Sequence, residues 1–102
     1  MSKIYDLVII GGSAAGAAAG VYAARRRLNF IIAAKDFGGE VATSGEIENY
    51  LGFPHTNGVE LSQKFLEHVK ANGVEPVLGC AIEEVKKMDD HFGVVVSTGC
   101  SP

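Results

Sequence analysis

The residues with the clearest chemical purpose are Gly11-Gly12-Ser13-Ala14-Ala15-Gly16, followed by Gly20. They come directly after the apolar run Tyr5 to Ile10 and open a stretch rich in alanine. In a dinucleotide-binding turn the first glycine makes the bend from strand to helix and the second brings backbone close to a pyrophosphate. The third lets the helix pack tightly on the strand. Gly11, Ser13 and Gly16 hold those places, so the spacing is that of GxGxxG with serine in the second position. A helix starting there turns unpaired N–H groups and a partial positive charge toward phosphate oxygens, which is why the turn needs no lysine. The competing reading is that these small residues only allow close packing of helix on sheet. The same fingerprint asks for an acid at the end of the next strand to hold a ribose. Ala33, Ala34 and Lys35 stand there, with Asp36 just beyond, so either Asp36 holds the ribose or backbone and water do.

Other reactive side chains form no constellation. Cys80 and Cys100 are too few and too oddly spaced for a disulfide scaffold, a zinc site or a CxxC pair, and read as a small buried hydrophobe and a tail thiol. His55, His68 and His91 have no companions at metal or triad spacing, so no metal site and no catalytic residue is assigned. His68 and His91 read as solvated surface, while His55, next to Pro54, lies close enough to the glycine-rich loop for proton traffic. Glu46 and Glu48 would share one face of a strand, without a partner in a cleft to make an acid/base pair.

The elements that must position these residues follow from hydrophobic period and breakers. Tyr5 to Ile10 predicts a strand covered on both faces in a parallel sheet. Ala14 to Arg27 predicts a helix closed by Arg25, Arg26 and Arg27, cations that complement its exposed carbonyls. Leu28 to Ala33 predicts the second strand, completing a βαβ unit. Lys35 to Pro54, interrupted by Gly38, Gly39, Gly45 and Gly52, reads as a ligand-contacting loop. Val59 to Ala71 predicts an amphipathic cover helix with Leu61, Phe65, Leu66 and Val69 on one face, stopped by Asn72-Gly73. Val74 to Leu78 predicts a short strand, and Ile82 to Met88 with Phe92 to Ser97 a hairpin around Asp89-Asp90-His91.

With 102 residues, 47% of them hydrophobic, the chain has room for one core. A formal charge of -3 provides no long-range attraction for nucleic acid or an anionic membrane. Leu7 to Ala24 is uncharged and carries GxxxG spacings, but it is mostly Gly and Ala and splits better into strand, turn and helix than into a membrane span. Cysteine usage marks no oxidising compartment, so the expected setting is cytoplasmic.

Taken together, the segments Tyr5 to Gly16, Val21-Tyr22-Ala23-Ala24-Arg25, Gly38-Gly39-Glu40 and Glu46-Ile47-Glu48-Asn49-Tyr50-Leu51-Gly52-Phe53-Pro54 resemble the low-molecular-weight thioredoxin reductases. That family runs in the same order through a GxGxxG turn, a "YAAR" helix, a "GGQ" loop and an "E(V/I)ENWPG" segment. The combined spacing is far more specific than the glycine turn alone. Glu40 replaces the usual glutamine with an anion, and Tyr50 and Leu51 replace Trp and Pro. The resemblance implies a partial Rossmann-like FAD-binding domain of α/β class, with a parallel sheet, helices and a β-hairpin or meander. Residues 1-102 would be its amino-terminal part. It implies that Gly11, Gly12, Ser13, Ala14, Ala15 and Gly16 wrap the FAD pyrophosphate, and that Gly39 and Glu40 lie toward the flavin. Asn49 would stand near the isoalloxazine, and Ala81 and Ile82 would graze the adenine. In the full-length parent NAD(P)H would reduce FAD, the flavin would reduce a CxxC disulfide, and that dithiol would reduce a thioredoxin-like partner. The parent would be a possible homodimer. Lacking the nicotinamide domain and the CxxC, this chain alone is expected to be inactive. The alternatives are another flavoprotein of the superfamily, such as a ferredoxin–NADP reductase-like protein, or a stand-alone dinucleotide-binding module.

Overall fold

A computed structural model describes residues 4–97. The first apolar run forms β1 (Leu7–Ile10), which pairs in parallel with β2 (Phe30–Ala33), Leu7 opposite Phe30 and Ile10 opposite Ala33. Both strands begin later than their apolar runs suggest. Asp6 takes over at the entrance: its N–H donates to the Asn29 carbonyl at 2.8 Å, and its carboxylate accepts from the Asn29 N–H at 3.1 Å. A polar clasp thus replaces strand pairing there.

Between the strands lies α1 (Ala14–Arg25), so the uncharged stretch from Leu7 to Ala24 is a strand, a turn and a helix. No described helix is long and apolar enough to cross a membrane. α1 stops before the last two arginines because Arg27 has φ of 57°. The Arg27 N–H donates to the Ala24 carbonyl and the Leu28 N–H to the Ala23 carbonyl, at 3.0 and 3.2 Å. That is a Schellman motif closed by an arginine where glycine is usual.

Where the sequence predicts a loop from β2 as far as Pro54, a five-residue helix, α2 (Gly39–Thr43), forms instead, followed by β3 (Glu46–Ile47) and its antiparallel partner β4 (Thr56–Asn57). Elements this short complete neither a helical face nor an alternation that the sequence could display. Tyr50 sits between them, its ring 6.1 Å from Phe53 and 5.5 Å from Phe65, in tilted contacts.

The cover helix α3 (Gly58–Ala71) is the expected one, capped by Asn57, whose side chain accepts the Glu60 N–H at 2.9 Å. Gly73, with φ of 81°, ends it through the same Schellman pattern. Its Val69 joins Ile9, Ile32, Ala17 and Ala23 in the core, with Phe30, Phe37, Phe65 and Val74 packed around them. Helical cover therefore lies over the Ile9/Ile32 face of the sheet. Among the described residues the expected coverage of both faces is not met, since Ile10 is 51% exposed.

Val74 to Leu78 does not become a strand. Only Val77 bridges β2 in parallel, at Ala33, with Val77 donating to the Ile32 carbonyl and Ala34 donating back. Pro76, without an N–H, cannot extend the ladder. The hairpin is present as β5 (Ile82–Lys87) and β6 (Phe92–Val96), with a bulge between Ile82 and Glu84. Cys80 is buried and disulfide-bonded, which corrects its reading as a plain small hydrophobe. Bridging depends on tertiary approach of two Cα atoms, which sequence spacing does not report. Cys100 lies outside the described residues.

Candidate cofactor-binding site

The site is built by one turn. Gly11 leaves β1 with φ of 107°, a conformation that side chains resist, while its N–H still donates to the Ala33 carbonyl at 3.0 Å. Ser13 then adopts the extended conformation of an N-cap, and the first intrahelical bond runs from the Ala17 N–H to the Ser13 carbonyl at 2.8 Å. The backbone N–H groups of Ala14, Ala15 and Gly16 have no protein acceptor among the described residues, and the first turn holds no acidic side chain. The start of α1 is therefore a set of aimed donors without an internal anion.

Close packing keeps those donors accessible. A Cβ on Gly16 would lie inside the contact distance of the Gly11 carbonyl oxygen, so only glycine lets the helix begin this near the strand end. Gly12 is buried, and a Cβ there would meet the Phe37 ring at 2.8 Å. Above Gly11 the same construction meets nothing within 4 Å, which is the open space of the cleft.

A second segment is fastened to the turn. Ser13 does not cap its own helix; its hydroxyl donates to the Gly38 carbonyl at 2.6 Å. The Gly38 N–H returns a bond to the Gly12 carbonyl. Residues 36–39 are thereby held beside the start of α1, and the two segments enclose a cleft of about 320 Å³.

Gly11, Gly12, Ser13, Ala15, Gly16, Asp36 and Gly39 all line this cleft. Ala14 is the first residue of α1 but is not in the lining, and Glu40 is exposed on α2, outside it. Asn49 belongs to a separate cleft of about 420 Å³ with Tyr50, Leu51 and Pro54. Ala81 and Ile82 lead into β5, where Ala81 exchanges bonds with Ser97, and line neither cleft. Ile10, Ala34 and Lys35 complete the first lining without having been assigned to it. Their signal was position: they sit at the carboxyl ends of parallel strands, where open α/β sheets place ligands.

No protein-family model matches the chain. It is 52% identical to a thioredoxin reductase of Ureaplasma parvum over 94% of its own length, and 42% identical to one of Bacillus subtilis over 76%. An alkyl hydroperoxide reductase component of Pseudomonas putida is 41% identical over 72%. Among solved structures, the thioredoxin reductase of Lactococcus lactis superposes with a TM-score of 0.86 at 31% identity, over 93% of this chain and 31% of that one.

The chain is thioredoxin-reductase-like. It spans 31% of the Ureaplasma relative, 25% of the Bacillus relative and 14% of the Pseudomonas one. A match over 94% of the chain necessarily includes the glycine turn and the segment fastened to it, so the cleft lies within the thioredoxin-reductase-like region. A ferredoxin-flavin thioredoxin reductase of Clostridium acetobutylicum shares the fold, with a TM-score of 0.85 at 32% identity over 93% of this chain and 33% of that one.

Proposed function

We propose that this chain forms the FAD-binding part of an NAD(P)H-dependent thioredoxin-disulfide reductase-like oxidoreductase, with residues 1-102 as the amino-terminal part of that domain. The observation that carries the reading is the start of α1, where Ala15 and Gly16, whose backbone N–H groups are unpaired, line a cleft floored by glycine. That donor set fits a diphosphate: it offers hydrogen bonds and partial positive charge at a helix N-terminus. The names of the thioredoxin reductase relatives and of the ferredoxin-flavin neighbour support the same reading.

In this reading Gly11, Gly12, Ser13, Ala14, Ala15 and Gly16 cradle the pyrophosphate, and Asp36 accepts from a ribose hydroxyl. Gly39 and Glu40 stand toward the flavin, Asn49 offers an amide that both donates and accepts, and Ala81 and Ile82 approach the adenine. When bound, FAD supplies hydride acceptance from a nicotinamide and delivery of electrons to a disulfide. This sequence carries no CxxC pair. The dithiol, the nicotinamide site, the contact with a thioredoxin-like protein and any homodimer contact then belong to other parts of a longer protein, and this part alone turns nothing over. A cytoplasmic setting belongs to the same proposal.

Titrating FAD into the purified chain, read by quenching of flavin fluorescence, tests the assignment. A cleft of about 320 Å³ lies at the small end of ligand pockets and encloses the diphosphate and ribose rather than the whole cofactor. The expected dissociation constant is therefore weaker than ~1 µM but tighter than ~1 mM. Absence of uptake by a chain that circular dichroism shows to be folded would overturn the cofactor assignment, and sub-micromolar affinity would overturn the account of a partial cradle.

A further inference from the structure

The chain contains the same four residues twice, as Asn57-Gly58-Val59-Glu60 and as Asn72-Gly73-Val74-Glu75. An asparagine before glycine can lose its side-chain amide. The glycine nitrogen attacks Cγ and bonds to it, the Cγ–Nδ2 bond breaks, and ammonia leaves with the proton from the glycine nitrogen. Glycine favours the attack because it has no side chain to hinder the approach and its backbone turns freely. Water then opens the cyclic imide at either carbonyl, giving aspartate or, where the main chain now runs through Cγ, isoaspartate. No electrons are exchanged. Because the two local sequences are identical, only the fold can set the two sites apart.

At Asn57 the fold opposes the attack. The carboxamide caps α3 by accepting the Glu60 N–H at 2.9 Å, and the attacking nitrogen of Gly58 donates to the Gly45 carbonyl at 3.1 Å. Gly58 is buried, and a Cβ on it would lie inside the contact distance of the Val41 and Ser44 carbonyl oxygens. The backbone there cannot move toward an imide without parting α3 from residues 41–44. Asn72 stands at the other end of the same helix, where terminal turns fray. The Gly73 N–H donates to the Lys70 carbonyl at 2.9 Å and the Asn72 amide to the His68 carbonyl at 3.0 Å, so both bonds open with that last turn. Around Gly73 there is space, since a Cβ on it would meet nothing within 4 Å.

We propose that Asn72 is a site of spontaneous deamidation in the folded chain, and that its conversion unpins the end of α3 from the core. A carboxylate in place of the amide cannot donate to the His68 carbonyl, and it stands at the negative end of the helix dipole. Isoaspartate also adds a methylene to the main chain inside the Schellman closure, in which Gly73 and Val74 donate to the Lys70 and Val69 carbonyls. Val69 is fully buried, and Val74 packs against the same core. At Asn57, by contrast, an aspartate product would cap α3 as well as asparagine does, at the positive end of the dipole.

Incubating the whole chain at neutral pH, with and without urea, and mapping its peptides by mass spectrometry tests the assignment. In the folded chain Asn72 should convert at least about 10-fold faster than Asn57, because reaction at Asn57 needs an opening larger than the fraying of a terminal turn. In urea the two identical sequences should convert at equal rates. Asn72→Asp should lower the melting temperature by about 4 °C or more, while Asn57→Asp should leave it nearly unchanged. Comparable conversion of both asparagines in the folded chain, conversion of neither, or the same preference persisting in urea would overturn the selection of Asn72 by the fold. An Asn72→Asp variant as stable as the wild-type chain would overturn the unpinning of α3.

Discussion

Replacing Gly16 by alanine tests whether the cleft is made by backbone. The added methyl would overlap the Gly11 carbonyl oxygen, come within 3.0 Å of its carbonyl carbon and lie 3.6 Å from Ile9 Cγ2. The Gly11 atoms are main chain and cannot rotate aside, so the first turn of α1 must retreat from the end of β1. Overpacking of this kind costs about 1–3 kcal/mol, and the higher helix propensity of alanine offsets at most about 1 kcal/mol of it. A net loss of about 1 kcal/mol lowers the melting temperature of a domain this size by about 4–8 °C. The effect on the ligand is larger, because the displaced groups are the proposed donors. A hydrogen bond to a charged partner contributes about 1.5–3 kcal/mol, so misplacing one donor weakens FAD binding by at least about 10-fold. Gly20→Ala is the control: its methyl meets only the flexible end of Ile32, and Gly20 does not line the cleft. It should lower the melting temperature and leave FAD affinity within about 2-fold, a change of under ~0.5 kcal/mol. Scanning fluorimetry and flavin quenching on the same samples read both quantities. Wild-type affinity in Gly16→Ala, or equal losses in the two variants, would refute the backbone cradle.

Ser13→Ala removes the 2.6 Å bond to the Gly38 carbonyl and should cost about 0.5–1.5 kcal/mol, with faster proteolysis between residues 36 and 45; an unchanged cleavage rate would show that the hydroxyl does not fasten that segment. Arg27→Gly should stabilise the chain by about 0.5–1 kcal/mol, because the left-handed conformation costs a side chain about 1–2 kcal/mol and glycine returns part of that gain as freedom in the unfolded chain. Chemical denaturation measures it, and a destabilised variant would mean that the arginine side chain contributes more than its backbone strain. The hydrogen bond from His91, and then its charge, hold the Asp90 carboxyl below its ordinary value. That pairing is fully present above the ordinary carboxylate range and is lost as the pH falls through the lowered value. In His91→Gln, carboxyl NMR shifts should show Asp90 titrating at higher pH, and an unmoved titration would remove His91 as the cause.

What could be read in the sequence is what local period and turn chemistry determine. The βαβ unit, the capped helix α3 and the hairpin each carry their own stop signals, as Asn57 and Gly73 do around α3. Arg27 ends α1 early because its left-handed backbone closes a Schellman motif at a residue that propensity would keep helical. α2 is too short to show a period, and the expected strand at Val74 to Leu78 shrinks to a single rung beside Pro76. The bend from β1 into α1 was legible because its small residues lie within six consecutive positions. Asn49, Ala81 and Ile82 were assigned from resemblance, and the fold does not bring them to the same cleft.

Serine in the second position of the turn has a physical consequence that a glycine there would lack. A glycine would bring backbone toward a pyrophosphate and do nothing else. Ser13 still leaves the N–H groups of residues 14–16 without protein acceptors, since its hydroxyl turns away from the helix start to the Gly38 carbonyl. Gly38 is buried and opens α2, and α2 packs on α3, whose Val69 reaches the core. The motif residue therefore joins the start of α1 to the second wall of the cleft, and through α2 to the cover helix. A ligand that draws the start of α1 toward its phosphates also draws on the bond that holds residues 36–39 in place. Binding and the order of that segment are then linked, so protection of the segment from proteolysis should rise with ligand in the wild-type chain and rise much less in Ser13→Ala.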